Sequence, residues 1–312
     1  TVFVEVKARF DEHSNLHFAK LMKDAGIKII YSIPGLKVHA KIALVLRKPS
    51  KGRRDAYAFL STGNFNEKTA LIYTDFTLLT YDQNVGKDLY SVFDFLQYNY
   101  KRPSYRLLLV SPHSMRSGLM SLIEQEIANA QAGYRASMTL KCNNLVDKEL
   151  VTKLYEASEA GVEIRLIVRG MCSLLPGVKG ISENIQAISI VDRYLEHPRA
   201  YVFYNRGQPR YLIGSADLMT RNLDYRVEVL CPIFDEDAQR LIQDMLDQQW
   251  HDNEKARILD QNQSNEYVKR KKKATKIRSQ YTIHRYLATG KLPRYPKSRM
   301  NQPARRRRKP QN

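Results

Sequence analysis

The chain has 312 residues, 43% hydrophobic and 27% charged, with a net charge of +19. That length suffices for two domains with separate cores, and no apolar run approaches the ~20 residues of a membrane span. Residues 266–312 hold 17 lysines and arginines against one acid, so the remainder is only mildly basic; a solvated tail and a polyanion contact both fit that run, and composition does not choose between them.

In chain order, TVFVEVKARF opens as a strand rather than a leader. Residues 15–26 place Leu16, Ala19, Met22 and Ala25 on one helical face, with Gly26 at a C-cap. IKIIYSI is a strand, PG a turn and VHAKIALVL a strand. A hairpin through 47–55 leads to a strand at 56–62, and 73–80 reads as another. Residues 88–100 are helical, and Pro103 follows them. A second unit opens near residue 105 with the strand YRLLLVS. Helices follow at 118–133 and 147–161, the latter with Asp147 as N-cap and Gly161 past its end. VEIRLIV is a buried-type strand, and 235–250 is a capped amphipathic helix. The three cysteines, Cys142, Cys172 and Cys231, show no metal or redox spacing and fit a reducing cytoplasm.

Strands alternating with helices predict an α/β protein. The sequence also repeats itself. The stretch from FVEVKARF through LKVHAKIAL and AYAFLSTGNFN to YTDFTLL aligns with RLIVRGM through YLEHPRAYVF and PRYLIGSADLMTRN to YRVEVLC. The second half has a further strand and helix upstream, at 138–161, with no counterpart before Thr1. The expectation is a fragment whose first domain lacks its N-terminal portion.

Side chains two apart on a strand share a face, so His39 and Lys41 project together. Val38, Ile42, Leu44 and Leu46 turn the other way, towards a core. Neutral imidazole is a competent nucleophile near pH 7, since its ordinary pKa is ~6.5, and a lysine supplies charge for phosphoryl oxygens. One His-x-Lys is a weak signal, but His197 and Arg199 occupy the matching place in the second half, with Pro198 starting or edging a sheet. Two such strands can bring two histidines to opposite sides of one phosphorus. The turns 61–69 and 213–222 follow each hairpin. Their small residues allow backbone N–H groups to approach an anion, and Asn64, Asn66 and Asp217 can orient imidazoles or bind phosphate. His13, His17, His113, His251 and His284 lack the support of the repeat and are read as surface or structural groups.

The duplicated His-x-Lys and Gly-x-Asn turn resembles the phospholipase D superfamily, although apolar Leu46 stands where that pattern has an acid. The motifs ARFDE, PGLKVHAK, TGNFNEKTALIYTD, NNLVDKELV, LIVRGMCSL, ISIVDRYLEH and GSADLMTRNLDYRVEV are similar to the two C-terminal domains of bacterial polyphosphate kinase, the phosphohistidine type. The resemblance implies two tandem phospholipase D-like domains, each a mixed sheet flanked by helices, at 1–104 and 105–290, followed by a basic tail at 291–312. It implies reversible transfer of the ATP γ-phosphate to the end of inorganic polyphosphate, with His39 phosphorylated and Lys41 and His197 catalytic. Tyr73, Arg169, His197 and Asn64 would contact nucleotide or phosphate. Arg9 would grip phosphate oxygens that Mg2+ also binds, since an arginine cannot ligate a cation. Arg199 is a weaker candidate for the phosphoryl oxygens, with a solvated charge as the competing reading. His197 would stabilise or protonate a leaving oxygen. The resemblance further implies a homo-oligomeric full-length enzyme with additional domains, in the cytoplasm or peripheral at the inner membrane. A phosphodiesterase or nuclease, and a non-catalytic polyanion binder, remain open alternatives, although no recognised nucleic-acid module is present.

Overall fold

The computed structural model describes residues 1–6, 12–33, 35–48 and 55–295. The expected α/β class is what forms. At its centre lies a nine-stranded mixed sheet built mainly from the second half. The strands Ser137–Cys142, Glu163–Val168 and Ile185–Ile190 are parallel neighbours. Arg199–Phe203, Arg210–Gly214 and Arg226–Ile233 continue the sheet antiparallel. Nearly every residue of Ser137–Cys142 and Arg199–Phe203 is buried, as befits strands covered on both faces.

The helices Met115–Gln131 and Lys148–Glu159 cover one face, packing Leu119, Ile123, Leu150 and Leu154 against Leu140, Leu166, Tyr201 and Phe203. The helix Glu236–Trp250 covers the other with Ile242 and Leu246 against Ile167, Ile188, Val202 and Ile213. Asp147 and Asp235 cap their helices, accepting from Leu150 N and Ala238 N, as their sequence positions predicted.

The first half differs from the expectation of one mixed sheet. It has two small sheets: Val2–Val4 parallel to Ile29–Tyr31, and Lys41–Arg47, Asp55–Ser61 and Thr77–Thr80 antiparallel. No described strand joins them. The halves nonetheless share a core, in which Ala58, Leu60, Val85, Leu89 and Val92 meet Leu108, Val110, Val227 and Val229. The carboxylate of Asp88 accepts from the backbone N–H groups of Arg106, Leu107 and Leu108, fixing the connection between the halves.

Two sequence-predicted strands are broken, and both breaks serve the site. VHAKIALVL divides into Lys37–Val38 and Lys41–Arg47. The first piece leaves its own half to pair in parallel with Arg226–Val227. The N–H groups of His39 and Ala40 both donate to the Val227 carbonyl, which sets the bulge between the pieces. Residues 73–80 likewise divide, and Tyr73–Thr74 pairs in parallel with Leu195–Glu196 of the second half. Leu46, expected in a core, is exposed near the end of its strand, whereas Val38, Ile42 and Leu44 do pack against one. Pro198 stands just before Arg199–Phe203, so it starts a strand, but an interior rather than an edge one.

Candidate active site

The two exchanged strands each deliver a histidine to an acid of the opposite half. Lys37–Val38 ends at His39, whose Nδ1 lies 2.9 and 3.0 Å from the two carboxylate oxygens of Glu228. Leu195–Glu196 ends at His197, whose Nδ1 lies 2.7 Å from Asp75 Oδ1. Each acid is held by a hydroxyl from the turn of its own half. Thr62 Oγ1 donates to Asp75 Oδ1 over 2.5 Å, and Ser215 Oγ donates to Glu228 Oε2. Each hydroxyl also accepts from the backbone after the acid, Phe76 N at 3.0 Å and Val229 N at 3.2 Å. The repeat seen in the sequence is thus a repeat of chemistry: hydroxyl, carboxylate, imidazole, twice and crossed.

The smallness of the first turn has a cause other than anion approach. A Cβ added at Gly63 would lie 2.3 Å from Asp75 Oδ2, so glycine leaves room for the acid. Asn66 caps the short helix Glu67–Ala70 by accepting from Thr69 N, and Asn64 is exposed.

The imidazoles are neutral near pH 7. Burial pulls His39 down to about 4; Glu228 opposes this, and the charges of Lys41 and Arg199 add to it. Burial likewise lowers His197 against the pull of Asp75, helped by Arg199 and Lys41. Both cations therefore act on both rings, and the two histidines share one electrostatic environment. Burial works against ionisation of Glu228, but His39, Lys41 and the Ser215 hydroxyl keep its carboxyl below the usual range. With Nδ1–H donating to a carboxylate, each ring carries its lone pair at Nε2.

Lys41 is buried, and its ammonium donates to the His39 carbonyl. Burial without a close carboxylate lowers it to about 7, a shift that Glu228 resists and Arg199 reinforces. Arg199 is buried as well, not a solvated charge, and it donates to His197 Nε2 over 2.9 Å. In this arrangement His197 Nε2 accepts a proton-bearing donor and carries no proton of its own to give. The ring of Tyr73 is tilted against His197 with centroids 5.1 Å apart. Arg169 Nε donates to Asn143 Oδ1 at 2.7 Å and to the Glu196 carbonyl at 3.1 Å. Burial and the neighbouring Arg199 lower its pKa.

The strand before His197 is anchored by charge. Glu196 accepts from Lys141 Nζ at 2.9 Å, from Gln249 Nε2 at 2.7 Å and from Gln280 Nε2 at 2.9 Å. The structure thus brings together His39, Lys41, His197, Tyr73, Arg169 and Arg199. Arg9 lies outside the described residues, as do residues 296–312 of the basic tail. Sequence reading passed over Asp75 and Glu228 as site groups, although both stand in the aligned segments YTDF and YRVEV. Among the described residues no group of three His, Cys, Asp or Glu could hold a metal ion, and no helix is long and apolar enough to cross a membrane.

Known proteins resemble this chain in sequence and in fold. A family model described as polyphosphate kinase C-terminal domain 1 matches residues 1–102, and one described as C-terminal domain 2 matches residues 108–280. A curated polyphosphate kinase from Vibrio vulnificus (strain CMCP6) is 52% identical over 287 residues, covering 92% of this chain and 41% of that protein. The polyphosphate kinase of Escherichia coli (strain K12) is 48% identical over 293 residues, covering 94% of this chain and 42% of its own length. The crystal structure of polyphosphate kinase from Porphyromonas gingivalis superposes with a TM-score of 0.86 at 46% identity, covering 93% of this chain and 44% of that one. The chain thus spans less than half the length of these relatives. It belongs to the polyphosphate kinase family and carries that family's C-terminal domains 1 and 2.

Proposed function

We propose that this chain is the phosphoryl-transfer part of an enzyme that moves the γ-phosphoryl group of ATP, reversibly, to the end of inorganic polyphosphate. The observation that carries the reading is His39. Its Nδ1 is fixed on Glu228, its lone pair at Nε2 takes no hydrogen bond from any described residue, and Lys41 stands beside it. In the first step Nε2 attacks the γ-phosphorus; the bond to the bridging oxygen breaks, and ADP leaves with the electron pair. In the second, a terminal polyphosphate oxygen attacks the phosphohistidine and returns the lone pair to Nε2. Splitting the transfer spares two polyanions a direct encounter.

Positioning and charge dominate such a transfer. Lys41, with N–H groups to spare, supports the equatorial oxygens, and phosphate binding restores the full charge that burial disfavours. Glu228 keeps Nδ1 protonated and stabilises the charge the ring gains on attack. Tyr73, His197 and Arg169 form the side proposed for the nucleotide. Magnesium fits here only as an ion carried on the nucleotide phosphates, where it would neutralise their charge, because the carboxylates of Asp75, Asp217 and Glu228 are committed to His197, Arg199 and His39. Cytoplasmic ATP is the donor in this reading.

The test is incubation of the full-length protein with γ-labelled ATP. Acid-labile, base-stable label is expected on His39 and should vanish in His39→Ala. Label that persists in that variant removes His39 from the nucleophile role.

A further inference from the structure

The crossed triads are alike at Nδ1 and unlike at Nε2. In the second half all three guanidinium nitrogens of Arg199 donate. Its Nη1 donates to His197 Nε2 at 2.9 Å and to the His197 carbonyl at 2.8 Å. Its Nε and Nη2 donate to the two oxygens of Asp217, each at 3.2 Å. Asp217 is fixed in turn by the N–H of Asn143 at 2.7 Å, and burial of its carboxyl is outweighed by Arg199. In the first half the matching residues are Lys41 and Asn64. Lys41 pairs with no carboxylate among the described residues and donates to a carbonyl, and Asn64 is exposed, so nothing clamps a cation onto His39 Nε2.

We propose that the Arg199–Asp217 pair decides which of the two equivalent histidines accepts a phosphoryl group, by occupying the lone pair of His197 and leaving that of His39 open. The proposal rests on the phosphoryl-transfer reading of this site, not on the identity of donor or acceptor. An attacking nitrogen needs phosphorus about 3–3.5 Å away, the place where Arg199 Nη1 now stands. Freeing that lone pair means drawing a buried guanidinium off both His197 and Asp217, which disfavours attack there by roughly 10²–10³-fold. Arg199 and Asp217 are therefore specificity-determining residues that act through His197.

The test uses this chain and phosphoramidate, a small phosphoryl donor that needs no nucleotide site. Imidazole Nε2 attacks phosphorus, the P–N bond breaks, and ammonia leaves with the electron pair. Phosphohistidine is then mapped by mass spectrometry under alkaline handling. Wild type should carry label on His39 and no more than about 1% as much on His197, following the factor above. The double variant Arg199→Lys/Asp217→Asn copies the first half into the second, and label on His197 should rise about 10–100-fold, with His39 label serving as the folding control. His39→Asn, which removes no contact of His197, Arg199 or Asp217, should lose label without transferring it to His197.

Equal labelling of the two histidines in wild type overturns the proposal. So does His197 label in His39→Asn, or its absence in a double variant that still labels His39. The kinase reading stands or falls separately: loss of ATP-dependent label with phosphoramidate selectivity intact would sink that reading and spare this one.

Discussion

Val45 and Phe203 occupy matching places in the two halves, each six residues past its histidine. Phe203 is 1% exposed and Val45 63%. In the second half the strand Ser137–Cys142 lies between Glu163–Val168 and Arg199–Phe203, and two helices cover the face to which Phe203 belongs. In the first half no described strand stands between Val2–Val4 and Lys41–Arg47. A groove of about 610 Å³ is lined there by residues of both strands and by Tyr90 and Phe93. An alternating sequence creates an apolar face but does not supply its cover. The site escapes this difference, because Glu228 and Val227 of the better-packed half set the position of His39.

The comparison is broken most directly through the core. Phe203→Ala should cost about 3–5 kcal/mol, and Val45→Ala should stay within about 0.5 kcal/mol, measured by urea unfolding of this chain. Similar losses at the two positions would mean the halves are equally packed.

Two buried lysines sharpen it. Lys141 has Glu196 as partner, so Lys141→Met should destabilise by about 3–5 kcal/mol by leaving a buried carboxylate unpaired. Lys41 has no such partner, and Lys41→Met should stabilise the chain by about 1–4 kcal/mol while removing the phosphate contact proposed for it. The sign follows from its pKa of about 7 in the fold against 10.5 unfolded. The penalty on the folded state is full below pH 7 and fades as pH rises to 10.5, so the gain from Lys41→Met should shrink across that window. A destabilised Lys41→Met at pH 6 would refute the account.

The smallest effect is spectroscopic. NMR titration of the His39 ring should give a midpoint near 4 instead of 6.5, so the ring remains neutral through pH 5–8. Since the folded value is the lower one, burial of His39 costs stability fully below pH 4 and not at all above pH 6.5. A midpoint above 6.5 would mean that Glu228 outweighs burial.

Much of this was legible in the sequence. Alternation and capping located the elements, with Asp147 and Asp235 at their helix starts. The repeat singled out His39 and His197 from five other histidines. What stayed hidden depends on pairing between the halves. His39 is 189 residues from Glu228 and His197 is 122 from Asp75, distances over which periodicity carries no information. The breaks at His39 and Asp75 were invisible for the same reason: each strand changes partner mid-course. The acids could have been found by asking which carboxylates the repeat duplicates, since Asp75 and Glu228 fall in aligned segments. Arg199 was undervalued because its partner, Asp217, was read as a turn residue free to meet phosphate.

The two short parallel pairings, Lys37–Val38 with Arg226–Val227 and Tyr73–Thr74 with Leu195–Glu196, bear on how the proposed reaction would proceed. A clamshell motion separating the halves would have to unzip both ladders and pull each imidazole off its acid. The substrates of the proposed reaction would therefore come and go with both ladders in place, by movement of side chains and loops around the site. The same stitching means that neither half can be cut away and leave the other with a competent histidine.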